Sequence, residues 1–254
     1  MDIQVQRAEF KEIEGLRGLY REEANCQIIK DSILSRGMAD PYLIVVNGRV
    51  GGYGGVWNRT DSVGRVMEFY ALPDVRATAL PMFWELLAAS GATGIEAQTN
   101  IPLLLLLLLD CAQNITSDVV LFADAVTTRL TCPDGAFRQA GPEDVPHIFP
   151  HQHEPVGDWM IEVGGTAVAT GGAYYHYNPP YGDIFMEVAE PHRGHGYGSY
   201  LVQEVKRVCY EMGKKPAARC HVSNIASRRT LQKAGFLPCA RFMVGEVIQS
   251  HTIE

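Results

Sequence analysis

The sequence predicts an α/β protein made of two similar units in tandem, and three observations carry that prediction. The first is the stretch from Asp183 to Met212. An apolar, strand-like run (Asp183–Ala189) leads into a glycine-rich turn, and a helix follows with apolar residues at Leu201, Val202, Val205, Val208, Cys209 and Met212. That spacing marks one face of a 3.6-residue helix, and Gly213 can close its C-terminus. The second is a comparable succession of strand, helix, hairpin, strand and helix in the first half. The third is that dipeptides recur between the halves: Gly54-Gly55 with Gly171-Gly172 at an offset of 117, Met67-Glu68 with Met186-Glu187 at 119, and Asn100-Ile101 with Asn224-Ile225 at 124. Such a slow drift is what small loop insertions produce in an internal repeat.

In chain order, Ile3–Arg7 alternates as a strand does, and Phe10–Glu23 places Phe10, Ile13, Leu16, Leu19 and Tyr20 on a helical face. A second short helix is expected over Ile28–Ser35. The runs Tyr42–Val46 and Val50–Trp57 flank Asn47-Gly48, a strong hairpin signal. Arg65–Ala71 is the next strand, and a helix over Leu80–Ala89 is closed by Gly91. Asn100 is followed by Pro102 and seven leucines, a helix without a polar face, which calls for burial on every side. The turn-rich Thr131–Gly135 marks the joint, so the expected units are residues 1–130 and 131–254. A further strand is expected at Trp159–Val163.

Composition narrows the function classes. With 254 residues, 46% hydrophobic and 20% charged, the chain can bury a sizeable core. A net charge of −7 disfavours nucleic acid and anionic membrane as partners. The Leu103–Leu109 run is too short to cross a bilayer, which takes about 20 apolar residues. Six scattered cysteines with no C-x-x-C pair read as reduced, and the N-terminus has no signal-peptide pattern, so a cytoplasmic protein is expected. His151-Gln152-His153-Glu154 has no second cluster to complete a metal site, and no metal is expected.

A strand, a glycine turn and a helix N-terminus present unpaired backbone N–H groups that suit an anion, most often a phosphate. The turn matches neither a P-loop nor a dinucleotide fingerprint, since its glycines fall as Gly194-x-Gly196-x-Gly198. It does contain Arg193-x-x-Gly196-x-Gly198, and Asn224-Ile225-Ala226-Ser227 leads into a helix ending in Gly235-Phe236. Together these resemble the two signatures of the GNAT superfamily of N-acyltransferases, over roughly residues 160–245. The resemblance implies that each unit is a mixed, mostly antiparallel sheet flanked by helices. It also implies acyl transfer, most often of acetyl, from acetyl-CoA to a primary amine of a small molecule or peptide by direct attack.

On that resemblance the diphosphate meets backbone N–H groups of Gly194, His195, Gly196, Tyr197, Gly198 and Ser199, with Arg193 beside them. The pantetheine arm runs along Met186–Val188, and Asn224 and Ser227 hold it further on. The amine must lose a proton to react, because a free alkyl amine has a pKa of about 10. Glu187, Asp183 and His176 are the candidate bases, with Glu187 preferred, and Ser227 is a candidate donor to the thiolate; the family's usual tyrosine is replaced by Leu231. Glu187 is a charge in an apolar strand, but its repeat partner Glu68 points to a structural role for both. The aromatic, polar hairpin Tyr174–Tyr181, with Tyr175, His176 and Tyr177, is the expected substrate wall.

The first half lacks the cofactor signature, having Asp74-Val75-Arg76-Ala77-Thr78-Ala79 where the second has its glycine turn, so it reads as a degenerate unit. The second half is about 15 residues shorter between Ala140 and Gly171 than the first between Ala8 and Gly54, which reduces its substrate-covering helices to Glu143–Phe149. The leucine helix suggests packing against the other unit or another subunit, with a homodimer as one outcome. A non-catalytic acyl-CoA sensor is the alternative to an enzyme.

Overall fold

The computed structural model describes residues 1–23, 30–58, 64–176 and 179–248, apart from the side chains of Asp31 and Ser32. The first elements are β1 (Ile3–Arg7), α1 (Phe10–Glu23), α2 (Lys30–Ser35), β2 (Ala39–Val46), β3 (Arg49–Trp57) and β4 (Arg65–Ala71). They continue as α3 (Ala79–Ser90), β5 (Gly94–Gln98), α4 (Pro102–Cys111) and β6 (Ala112–Asp124). Then follow β7 (Ala136–Gln139), β8 (Trp159–Val163), β9 (Thr166–Tyr174), β10 (Tyr181–Val188), α5 (Tyr197–Glu211), β11 (Lys215–His221), α6 (Ile225–Lys233) and β12 (Phe236–Val247). Asn47 and Gly48 turn the β2–β3 hairpin with φ of 49° and 76°, the twist that a two-residue loop requires. The part of the second expected helix before Lys30 lies outside the described residues.

The chain divides into two compact units, Met1–Val119 with the chain from Ala240 onward, and Val120–Cys239. The sequence places one joint between residues 130 and 131. The contacts instead divide the chain twice, because β6 and β12 each begin in one unit and end in the other. In the first unit the strands run β1-β2-β3-β4-β5, and residues Phe242–Glu246 of β12 pair antiparallel with β5. In the second unit they run β7-β8-β9-β10-β11. Both sheets are antiparallel except for one pair each, β4 with β5 and β10 with β11. That parallel pairing is short: it ends at Val66↔Ile95 in the first unit and at Ile184↔Ala218 in the second. Among the described residues, no further rung joins those two strands in either unit.

Each unit has its own core. Phe69, Phe83, Leu86, Ile95, Leu104 and Leu108 are central to the first, and Ile161, Val168, Leu201, Val205, Leu231 and Phe236 to the second. The leucine helix packs on its own sheet, as expected, and leaves an outer face uncovered in the single chain. Leu104, Leu107, Leu108 and Cys111 of α4 are buried, but Leu106 and Leu109 are 58% and 52% exposed. Only the face turned to β5 and β4 is covered, so a helix apolar all round is here buried on one side only.

The repeated dipeptides do not share a ladder level. Glu68 stands opposite Gly55, whereas Glu187 stands opposite Thr170, and Gly171 faces Met186. The glycine pair is therefore displaced by two rungs, which keeps each residue on the same face of its sheet. Where the first unit covers one sheet face with α1 and α2, the second has only a short 3-10 turn, Val145–His147, and then an extended loop. That loop lies directly on β9: a Cβ built on Gly157 would sit 2.1 Å from the Gly171 carbonyl.

Candidate active site

The geometry of the second unit is built around the N-terminus of α5. Gly196 caps that helix with a φ of +91°, a left-handed conformation that costs glycine nothing, and no side chain bonds across the cap. The first helical bond runs from the Tyr200 N–H to the Gly196 carbonyl at 3.1 Å. The N–H groups before it point out of the helix end as a cluster of donors. Two residues on, Gly198 lets α5 lie against the end of β10: a Cβ there would be 3.1 Å from Val188 and 3.3 Å from Thr230.

These donors open on a cleft of about 610 Å³. Its walls include Met186, Glu187 and Val188 of β10, Arg193, Gly194, Gly196, Tyr197, Gly198 and Ser199 of the turn, and Asn224 and Ser227 of the α6 N-terminus. His195 lies just outside the lining residues, its ring stacked on Tyr197 at 5.8 Å. Tyr197 is itself anchored, donating its hydroxyl to Asp134 at 2.6 Å; that bond pushes the phenol up to about 12. Arg193 is exposed, and its Nε donates to the Val188 carbonyl at 3.2 Å, which ties the turn to the strand end. A larger cleft of about 870 Å³ lies between α5 and Thr127–Pro133, but none of the turn's glycines lines it.

Two further cations line the cleft and escape the sequence reading. Arg229 and Lys233 stand four residues apart on α6, hence on one helical face, and the Lys233 ammonium lies 3.5 Å from where a Gly196 Cβ would be. Their i, i+4 spacing is visible in the sequence, but nothing there says that this face turns toward the glycine loop. At the other end of α6, the Asn224 carboxamide accepts the Ser227 N–H at 2.9 Å, the arrangement of a helix N-cap. Leu231 is 3% exposed and part of the core, so its position on α6 faces away from solvent.

The candidate bases differ sharply. Both oxygens of Glu187 are occupied by backbone donors: Gln152 N–H at 3.0 Å, and His153 and Glu154 N–H at 3.1 Å each. Burial works against its charge, but these three bonds and the nearby His151 prevail and hold the carboxyl below its usual range. His151 is fixed as well: Nδ1–H donates to the Glu154 carbonyl, and Nε2 accepts from the Thr170 hydroxyl, both at 2.9 Å. Glu187 is thus the clasp that holds the loop over β10. Glu68 has a matching role in the first unit, gripped by Arg17 at 2.6 and 2.9 Å and by the Tyr53 hydroxyl at 2.9 Å.

Asp183 is 3% exposed and lies 3.2 Å from the Arg219 guanidinium. Burial raises it to about 7; Arg219 pulls it down, and the charge of Glu154 pushes it up again. It shares a sheet face with Glu187, two and four residues along the same strand from Phe185 and Glu187 respectively. The expected substrate wall is divided. Tyr175 turns its hydroxyl toward Cys209 of α5, 3.7 Å away, while His176 meets Tyr174 edge to face. Tyr174, the first residue of that expected wall, stacks on Phe185 at 4.6 Å on the face of Asp183. Tyr177 lies outside the described residues.

Residues 124–236 match the model of the Acetyltransferase (GNAT) family. The second unit is a GNAT acetyltransferase domain. No curated protein sequence matches the chain. Among solved structures, the chain is similar to a GNAT-family acetyltransferase from Colwellia psychrerythraea (15% identity, 98% of this chain and 100% of that one, TM-score 0.76). It is similar too to a tandem GNAT protein from the clavulanic acid biosynthesis pathway (13% identity, 98% and 100% covered, TM-score 0.62). A third likeness is to a GCN5-related N-acetyltransferase from Sphaerobacter thermophilus (16% identity, 97% and 96% covered, TM-score 0.58).

The GNAT domain makes the chain an acyltransferase that draws its acyl group from an acyl-CoA. Among the described residues, no group of three or more His, Cys, Asp or Glu residues is arranged to hold a metal ion. No described helix is long and apolar enough to cross a membrane.

Proposed function

We propose that the protein transfers an acetyl group from acetyl-CoA to a primary amine by direct attack, and that its second unit does the chemistry. The observation that carries this reading is the uncapped N-terminus of α5, with Gly196 at positive φ, opening on the cleft lined by Arg193, Arg229 and Lys233. A diphosphate needs such donors and cations together, and backbone N–H groups aligned with a helix dipole supply them at no reorganisation cost. The cleft continues past Met186–Val188, where the parallel pairing of β10 and β11 has ended, so an extended pantetheine arm has free strand edge to meet. Asn224 and Ser227 line its further side.

Asp183 is the proton acceptor in this reading. A general base works best with a pKa near the working pH, and about 7 meets that condition while the depressed Glu187 does not. Because Asp183 is buried and outside the cleft lining, the proton reaches it through water. Glu187 acts as a positioning residue, and Ser227 as part of the α6 cap and cofactor wall. With Leu231 in the core, the thiolate leaves unaided; thiols are acidic enough for that.

The first unit is a GNAT fold without a cofactor site. Its succession β1, α1, α2, β2, β3, β4, α3, β5, α4 runs parallel to β7, β8, β9, β10, α5, β11, α6 with two helices added. Its turn before α3 is closed as a 3-10 helix with Arg76 engaged by Glu23 at 2.9 Å and by the Ala71 carbonyl, and Asp74 precedes it. Cys111, Cys132, Cys209 and Cys220 are free thiols, in keeping with a cytoplasmic protein.

Thiol release from acetyl-CoA in the presence of amines tests the reaction. In a pH profile of kcat/KM, the rate is expected to rise through about 7. Asp183→Asn should remove that rising limb and lower kcat by roughly a hundredfold or more; an unchanged limb would assign the base elsewhere.

A further inference from the structure

Asp183 and Glu187 stand on one face of β10 and are both buried, yet their charges are held in different ways. Three backbone N–H groups cradle Glu187. Asp183 instead forms a salt bridge, with the Arg219 Nε 3.2 Å from its Oδ2. The sheet fixes that pairing. Asp183 is opposite Ala217 and Ile184 is opposite Ala218, the last rung of the parallel ladder between β10 and β11. Arg219 follows directly, two residues past Ala217, so alternation along the strand puts it on the face of Asp183.

A buried carboxylate keeps its charge only with a partner, and a guanidinium supplies a directed donor as well as a positive charge. A base must also be able to give that charge up. When Asp183 takes a proton, a guanidinium sealed in the core would be left uncompensated. Arg219 avoids this, because its side chain is 29% exposed against 4% for the carboxyl and water solvates it in either state. The other groups near Asp183 cannot replace it. Tyr174, opposite on β9, stacks on Phe185. Glu154, from the loop before β8, is a carboxylate that opposes the charge of Asp183 and has Arg219, Glu187, His153 and His151 around it. Burial raises Asp183 to about 7 even with Arg219 pulling it down.

We propose that Arg219 is a positioning residue for the transfer, which acts through Asp183 by holding the buried carboxylate in its proton-accepting form at the end of the β10–β11 ladder. Arg219 is not among the residues lining the cofactor cleft, so its part is separate from acetyl-CoA binding. This rests on the assignment of Asp183 as the base, proposed above, and adds the residue that sets when that base is charged.

The pH profile of kcat/KM tests it in three variants. Arg219→Met and Arg219→Gln remove the charge, and Arg219→Lys keeps it. Losing the cation is expected to move the rising limb upward by about one pH unit, with rates about tenfold lower below the limb and the high-pH plateau kept. Arg219→Lys should hold the limb within about half a unit of the wild type. Carbon-13 NMR of aspartate-labelled protein should show the same displacements at the Asp183 carboxyl, without turnover. Thermal melts check folding, and calorimetry is expected to find acetyl-CoA affinity within about twofold of the wild type. A limb unmoved in both charge-removing variants overturns the inference. A limb displaced as far by Arg219→Lys overturns it too, since packing and not charge would then be responsible. Asp183→Asn separates the two levels. If the limb survives in Asp183→Asn, the assignment of the base falls and this inference with it; if Asp183→Asn abolishes the limb while Arg219→Met leaves it in place, this inference falls alone.

Discussion

Glu68 and Glu187 are the same residue type at comparable places on their strands, and each is a buried charge that its unit satisfies in its own way. Glu68 has a guanidinium and a phenol, whereas Glu187 has three backbone N–H groups from a loop. A carboxylate that accepts several N–H bonds is stabilised in its ionised form, and removing the charge leaves those donors poorly matched. Glu187→Gln is expected to cost about 1–3 kcal/mol at neutral pH. The sign of the pH dependence follows from the depressed carboxyl: its contribution is present above the unfolded pKa of about 4.3 and is lost as pH falls through the lower folded value. Urea melts at pH 7 and pH 3 should therefore show a large difference between the two proteins at the first and a small one at the second. An equal difference at both would mean that packing, not charge, makes the residue necessary.

At the scale of elements, the function proposed above divides the work on the cofactor between α5 and α6. The N-terminus of α5 contributes donors held open by Gly196, and α6 contributes Asn224 at its start and Arg229 and Lys233 along one face. Gly196→Asp would force a side chain into left-handed backbone, at about 1–2 kcal/mol of stability, and set a negative charge beside the diphosphate. Acetyl-CoA affinity measured by calorimetry is expected to fall by about a hundredfold or more while the protein still melts cooperatively. Unchanged affinity would place the diphosphate elsewhere. The glycine spacing of the turn was legible because backbone conformation is a local property that few residues can adopt. Arg229 and Lys233 were not legible as cleft residues, since a helix face acquires its meaning only from what it packs beside. The leucine helix α4 shows the same limit: periodicity shows what a helix can bury, and within the single chain Leu106 and Leu109 stay exposed.

At the scale of the whole molecule, the chain returns at its end to complete its beginning. Residues Phe242–Glu246 pair with β5, and the Arg241 N–H donates to the Thr99 hydroxyl at 2.9 Å. Truncation after Cys239 should therefore strip amide-exchange protection from Gly94–Gln98 and lower the stability of the first unit, although it leaves residues 124–236 intact. Full protection of β5 in the truncated chain would contradict that dependence. The sequence by itself determined the first-half elements up to α4, the strand–turn–helix cradle and its family, since these follow from periodicity, turn chemistry and short motifs that act within about a dozen neighbouring residues. Only the tertiary structure decided that Glu187 is a clasp, that Arg219 pairs with Asp183, and that the last strand belongs to the first unit. Those are pairings between residues tens to more than a hundred positions apart, and pattern along a chain carries no record of which distant groups will meet.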